Sequence, residues 1–244
     1  MYARISLLAI ALISLCLHSV KAQVDHGGAD YAAVSGEVLD TDHVNIGVFT
    51  VPEGARVITE GTVLIQAREI VISGILDASA SGSLGGFEED PCLSGGGATV
   101  REPTGPGGGG VGGAGDPWPT AQCGGGGGHG GEGGRAELLT LPTHQRGFGG
   151  APYGEPNAPS VQQGSGGGRG DVLCCPCSSG EGGRGGGAVA LRAWMSVTIT
   201  GEVWSNGGAG TAGSSATSTG AGGGGSGGTV LIDTASLSFS GVIE

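Results

Sequence analysis

Apolar and polar residues alternate in three stretches of the chain, and the three patterns superpose. Val63, Ile65, Ala67, Ile70, Ile72 and Leu76 follow Gly61. Val189, Leu191, Ala193, Val197, Ile199 and Val203 follow Gly187. Val230, Ile232, Thr234, Leu237, Phe239 and Ile243 follow Gly228. Each copy also carries an inner glycine, Gly74, Gly201 or Gly241, at spacings of 74 − 61 = 13, 201 − 187 = 14 and 241 − 228 = 13. Residues such as Gln66, Arg68, Glu69, Arg192, Glu202 and Asp233 fall between the apolar positions. A period of two puts one set on each face of a strand, and the apolar set is rich in β-branched side chains. Each copy therefore predicts two short strands joined by a bend, with six inward columns. Thr234 is the one polar residue in those columns, and it is nearly the size of valine. Met195 makes the second copy one residue longer, which predicts a bulge.

A single two-strand unit cannot bury its apolar face, and stacking the copies column on column solves this. The predicted class is all-β: a parallel β-solenoid of β-helix-like rungs with long glycine-rich loops. A β-sandwich is the alternative, but it favours evenly spaced turns. Here the copies begin 187 − 61 = 126 and 228 − 187 = 41 residues apart, and a solenoid accommodates such unequal insertions on one side.

The chain divides accordingly. Residues 1–22 read as a signal peptide: Arg4 gives a positive start, Ile5 to Leu17 an apolar stretch, and Val20 and Ala22 the small positions before a cut ahead of Gln23. That stretch is too short for a membrane span. Residues 23–45 are expected to be an irregular lead-in. Residues 46–82 hold the first β repeat, with Val48, Val51 and Val57 available for an earlier strand or cap. Residues 83–185 form an insertion rich in Gly, Pro and Cys, expected either to pack as extended chains or to stay flexible. Residues 186–244 hold the second and third repeats. Because Glu244 closely follows the last inward column with no polar cap, a truncated longer protein is expected, with an end used for assembly as the other reading.

Composition narrows the function classes. Of 244 residues, 58 are glycine, and only 4% are aromatic. Glycine adds no buried side chain, so the core must be narrow and built from the aliphatic columns. Formal charge is −12, and removal of residues 1–22 takes away Arg4, Lys21 and no acid, giving −14. No basic face remains for nucleic acid. Divalent cations, a mineral surface or basic partners are compatible with the acidity, although Glu88-Glu89-Asp90 is the one acidic run.

Candidate chemistry is sparse. Cys92, Cys123, Cys174, Cys175 and Cys177 are disulfide candidates, since the chain reads as secreted. Cys174 and Cys177 also have metal-ligand spacing, with Cys123 or His129 to complete a set, but the disulfide reading is preferred. Gly112-Gly113-Ala114-Gly115-Asp116 and Gly167-Gly168-Arg169-Gly170-Asp171 approach a calcium-roll signature, with the aspartate one residue early. Arg169-Gly170-Asp171 is also an adhesion tripeptide read by some integrin receptors. His129 and Glu132 lie between glycines, and His26, His43 and His144 show no obvious partner. No catalytic residue, cofactor or metal site is predicted, and no recognised catalytic motif is present.

Two stretches together resemble secreted glycine-rich β-solenoid repeat proteins. One is the Gly124–Gly134 run with His129, followed by Pro152-Tyr153-Gly154-Glu155-Pro156; the other is the Gly185–Gly208 repeat ending in Asn206-Gly207-Gly208. A weaker, compositional likeness is to glycine-rich organic matrix proteins of skeletons and shells. The resemblance implies scaffold and surface roles, and no enzymatic activity is expected. The expected function is a secreted structural protein of an extracellular matrix, with the organic matrix of a biomineral as the specific case. Its partners would be other matrix components or further copies of itself, not nucleic acid or membrane. A cell-surface adhesion module and a polysaccharide-acting β-helix enzyme are the alternatives.

Overall fold

In the computed structural model, the described residues are 21–88, 100–111, 123–136, 147–154, 161–171, 178–214 and 219–244. They hold strands and no helix: β1 (Gln23–Asp25), β2 (Tyr31–Ala32), β3 (Val38–Leu39), β4 (Asp42–Val51), β5 (Arg56–Thr59), β6 (Thr62–Ile72), β7 (Ile75–Asp77), β8 (Phe87–Glu88), β9 (Val100–Arg101), β10 (Ala188–Ile199), β11 (Glu202–Trp204), β12 (Thr229–Thr234), β13 (Leu237–Phe239) and β14 (Val242–Ile243). One sheet runs β1-β4-β6-β10-β12, with β2 beside β4 and β13 beside β10. A second runs β3-β5-β7-β11-β14. All pairings in both are parallel. Among the described residues, the small β8–β9 pair and the isolated bridge between His129 and Gly131 are antiparallel.

The register follows the sequence columns. Val63 pairs with Val189 and Val189 with Val230; Ile65, Leu191 and Ile232 form the next row. Ile70, Val197 and Leu237 align, as do Ile72, Ile199 and Phe239, and Leu76, Val203 and Ile243. The β6–β10 register shifts between Ala193 and Ser196, the interval that contains Met195. The inward residues of both sheets enter one core, with Val63, Ile65, Ile70, Ile72, Leu76, Leu191, Ile199 and Val203 fully buried. Sequence alternation thus becomes packing: the columns stack like on like along the core.

The segment 23–45 departs from the expected irregular lead-in. It contributes three short strands and the start of β4, laid parallel on the edge made by β4 and β5. Their shortness and polar neighbours hid them from a periodicity reading. Val48, Val51 and Val57 fall in β4 and β5, which form a layer ahead of the first repeat.

The inner glycines mark the bend between the two sheets and are needed for space. A Cβ on Gly201 would overlap the carbonyl oxygen of Gly74, and one on Gly241 would overlap that of Gly201. The bends therefore stack with backbone directly on backbone.

The described parts of the 83–185 insertion, together with 205–211 and 220–228, are ordered extended chains. Consecutive amides in 124–128 point to different neighbours: Gly124 and Gly127 donate to Ala221 and Gly224, Gly125 and Gly128 to Gly110 and Gly107, and Gly126 to Gly134. Every third amide faces the same neighbour, the signature of a three-residue-per-turn extended helix. Similarly, Gly180, Gly183 and Gly186 donate to Gly220, Gly223 and Ser226. Segment 164–171 lies at the centre and is buried throughout. Its amides Gly164, Gly167 and Gly170 donate to Gly186, Gly183 and Gly180, while Gly166 donates to Thr104 and Gly168 to Gly125. Such close packing tolerates no side chain: a Cβ on Gly166, Gly167, Gly168 or Gly170 would overlap a neighbouring carbonyl. Here the fold requires glycine for backbone approach, not for a left-handed conformation.

Candidate functional site: the two sheet ends

The first sheet ends differently on its two sides. At the β1 side local hydrogen bonds hold the chain, while Val24, Val34 and Val38 are 41%, 65% and 47% exposed. Asp25 accepts from the Gly27 amide at 2.8 Å and from Asn45 Nδ2 at 3.0 Å. Asp30 Oδ1 accepts from the Val48 amide at 2.8 Å. Glu37 accepts from the Tyr31 hydroxyl and, at 2.8 Å, from the Val34 amide. His26 Nε2 and His43 Nδ1 lie 3.1 Å apart, so one nitrogen donates and the other accepts. Tyr31 stacks on both rings, with centroids 4.6 Å from His26 and 5.5 Å from His43.

Burial holds the His43 pKa below its ordinary value, reinforced by the neighbouring His26; Glu37, Asp40 and Asp42 pull the other way. Burial, with Glu37 beside it, raises Tyr31. The amide of Gly27 and the side chain of Asn45 lower Asp25. A depressed histidine contributes stability that is present above its unfolded pKa of 6.5 and is lost as pH falls below it, because the unfolded chain takes up a proton that the folded one resists. The thermal midpoint should therefore drop between about pH 7 and about pH 5, and His43→Gln should flatten that drop, as measured by circular dichroism melts. Equal slopes in both proteins would show that His43 does not carry it. Sequence spacing gave no sign of this cluster, since the β1–β4 pairing of Val24 with His43 is what brings residues 17 positions apart together.

On the opposite side β12, β13 and β14 are the outermost described layer. Leu237, Phe239, Val242 and Ile243 are 52%, 49%, 44% and 41% exposed, whereas Val197, Ile199 and Val203 in the preceding layer are 0%. The edge from Thr229 to Glu244 contains no proline and no basic residue. Its two acids each face the layer behind: Asp233 lies 3.9 Å from Arg192 Nε, and Glu244 Oε2 lies 3.5 Å from Asn206 Nδ2.

The candidates from sequence are scattered. Cys123 is half-buried and has no disulfide among the described residues. Cys92, Cys174, Cys175 and Cys177 lie outside the described residues, as do His144, Gly112–Asp116, Glu89 and Asp90. Arg169 and Asp171 are only 4% and 3% exposed, at the end of the central glycine segment. Arg169 Nη1 donates to the Gly170 carbonyl and to Ser179 Oγ, both at 3.1 Å, an inward structural role rather than display. His129 packs on Tyr153 with centroids 4.7 Å apart and lies 3.4 Å from Thr229 Oγ1; no contact to Glu132 joins them. Among the described residues, no group of three or more His, Cys, Asp or Glu side chains could hold a metal ion.

A further polar contact lies on the second sheet. Arg56 Nε donates to Asp77 at 2.9 Å while its guanidinium sits 5.4 Å over the Trp204 ring. Burial pushes the Asp77 carboxyl up, but the Ser79 amide and Arg56 outweigh it and hold its pKa below the ordinary value. No protein-family model, curated protein or solved structure matches the chain. The described surfaces and packing therefore carry the functional argument: local polar contacts hold the β1 end, and β12, β13 and β14 form the outermost described layer on the other side.

Proposed function

We propose that the protein is a secreted structural component of an extracellular matrix, built as a parallel β-solenoid with a hydrogen-bonded glycine bundle along its side. The solenoid reading is supported by the matching strand order of the two sheets, β4-β6-β10-β12 against β5-β7-β11-β14, with each repeat supplying a strand to both. The observation that carries the structural role is the bundle. A long stretch of chain forms backbone hydrogen bonds to itself, leaving few side chains to converge on a ligand. Such a body supplies shape and stiffness in place of a binding cleft. The organic matrix of a biomineral is the specific setting favoured by the acidic, lysine-poor composition.

Peptide mass spectrometry of the insoluble matrix of the source tests this reading. Peptides covering Gly61–Arg68 and Ala193–Glu244 are expected in that fraction after soluble protein has been removed. Finding them only in the soluble secretion would reject it. The adhesion alternative drew on Arg169-Gly170-Asp171, and the burial of Arg169 and Asp171 weighs against it.

A further inference from the structure

We propose that the bulge on β10 is a binding platform for a neutral polysaccharide, with Trp194 stacking on a sugar ring. This deepens the structural reading by naming a partner, and it rests on that reading only for where the partner is met.

The platform begins with an inserted residue. Ala193 pairs with Ala67 and Ser196 with Glu69, so Trp194 and Met195 together stand opposite Arg68. The core gains nothing from the insertion. Two residues separate the inward Ala67 and Ile70, three separate the inward Ala193 and Val197, and both inward pairs keep their register. The effect is on the outer face. Trp194 and Met195 are consecutive, yet both are turned to solvent, 55% and 52% exposed. Bulges re-aim side chains in this way, and they do so most often beside functional sites. β10 lies inside the first sheet, between β6 and β12, so described strands flank the platform on both sides.

The neighbours set its shape. On the β6 side stand Arg68 and Glu69, ion-paired at 3.3 Å. On the other side are the small, exposed Ala235 and Ser236, between β12 and β13. The two large apolar side chains therefore have a low shelf on one flank and hydrogen-bonding groups on the other.

Size and charge select the occupant. An aromatic side chain buries about 150–250 Å², so at half exposure Trp194 offers roughly 100 Å² and the pair about twice that. This is about a quarter of the ~800 Å² per partner of a standard protein interface. It is the scale of a sugar-ring face. Charges around the platform cancel in pairs, Arg68 with Glu69 and Arg192 with Asp233. The chain as a whole carries −12, which repels a polyanion or an anionic membrane. The occupant is therefore uncharged. A pyranose with equatorial hydroxyls presents a face of C–H groups, the positive complement of the negative indole face, and its rim of hydroxyls meets donors and acceptors at Arg68 and Glu69. A β-linked glucan has this form. One ring stack supports a dissociation constant on the order of 1 mM for a short oligosaccharide.

The test is titration of the isotope-labelled secreted chain with cellohexaose, read through the indole N–H resonances, with Trp194→Ala assigning the Trp194 signal. That signal is expected to move and to saturate in the millimolar range. On insoluble cellulose, Trp194→Ala should weaken retention about tenfold, and Trp194→Tyr should keep most of it. The melting profile of Trp194→Ala should be unchanged, because the side chain is half-exposed. Met195→Ser, which leaves the ring in place, should weaken retention several-fold and reads the platform independently. Retention that survives Trp194→Ala, saturation of a different indole while Trp194 stays unmoved, absence of binding at about 10 mM cellohexaose, or a preference for alginate would each overturn the proposal. Because the matrix peptides are measured separately, sugar binding can fail while the matrix reading stands, and the reverse.

Discussion

Gly167→Ala is expected to destabilise the chain by about 3 kcal/mol or more, while Gly134→Ala is expected to be neutral or slightly stabilising. Neither glycine has a left-handed φ, so the contrast isolates space from backbone conformation. A Cβ on Gly167 would overlap the carbonyl oxygen of Gly223. That oxygen accepts from the Gly183 amide at 2.8 Å, and the Gly223 amide donates to Gly168 at 2.8 Å. The neighbour that must yield is therefore hydrogen-bonded backbone, which cannot rotate away as a side chain could. Moving it breaks hydrogen bonds both to the segment that carries Gly183 and to Gly168 beside the substituted residue. Around Gly134, by contrast, nothing lies within 4 Å of the added carbon. There the substitution acts mainly on the unfolded chain, whose entropy it reduces. Urea unfolding of the two variants measures both effects. Equal midpoints would mean that the glycine segments do not pack in solution as described.

That pair of expectations also marks where the sequence stops being legible. The six columns can be read from alternation because each inward side chain repeats a size and polarity, as in Ile65, Leu191 and Ile232, and the pairing register follows them row by row. Even the irregularity at Met195 is visible as one extra residue. Glycine carries no such label. Which segment lies beside 164–171 depends on backbone amides facing neighbours at every third residue, and every glycine offers the same donor and acceptor. Packed and flexible glycine runs therefore look alike in sequence. The buried tripeptide was hidden for the same reason: nothing about Arg169 signals that its segment is central. The histidine pair at the β1 end was invisible because strands of two or three residues have no period to detect. Phe239 and Ile243 belong to columns that are buried in the layer before them, and they are exposed where no described strand lies beyond.

One column therefore offers a graded experiment on the stack. Leu191 is fully buried between Ile65 and Ile232, and Ile232 is only half-buried in the outermost layer. Leu191→Ala should cost about 2–5 kcal/mol, since neighbours on both sides are held by the sheet and cannot collapse into the void. Ile232→Ala removes less buried area and leaves a space that solvent can enter, so about 1 kcal/mol is expected. With roughly 2–4 °C per kcal/mol for a chain of this size, the first variant should melt about 5–15 °C lower and the second by a few degrees. A small deficit at Leu191 would contradict the continuous core itself.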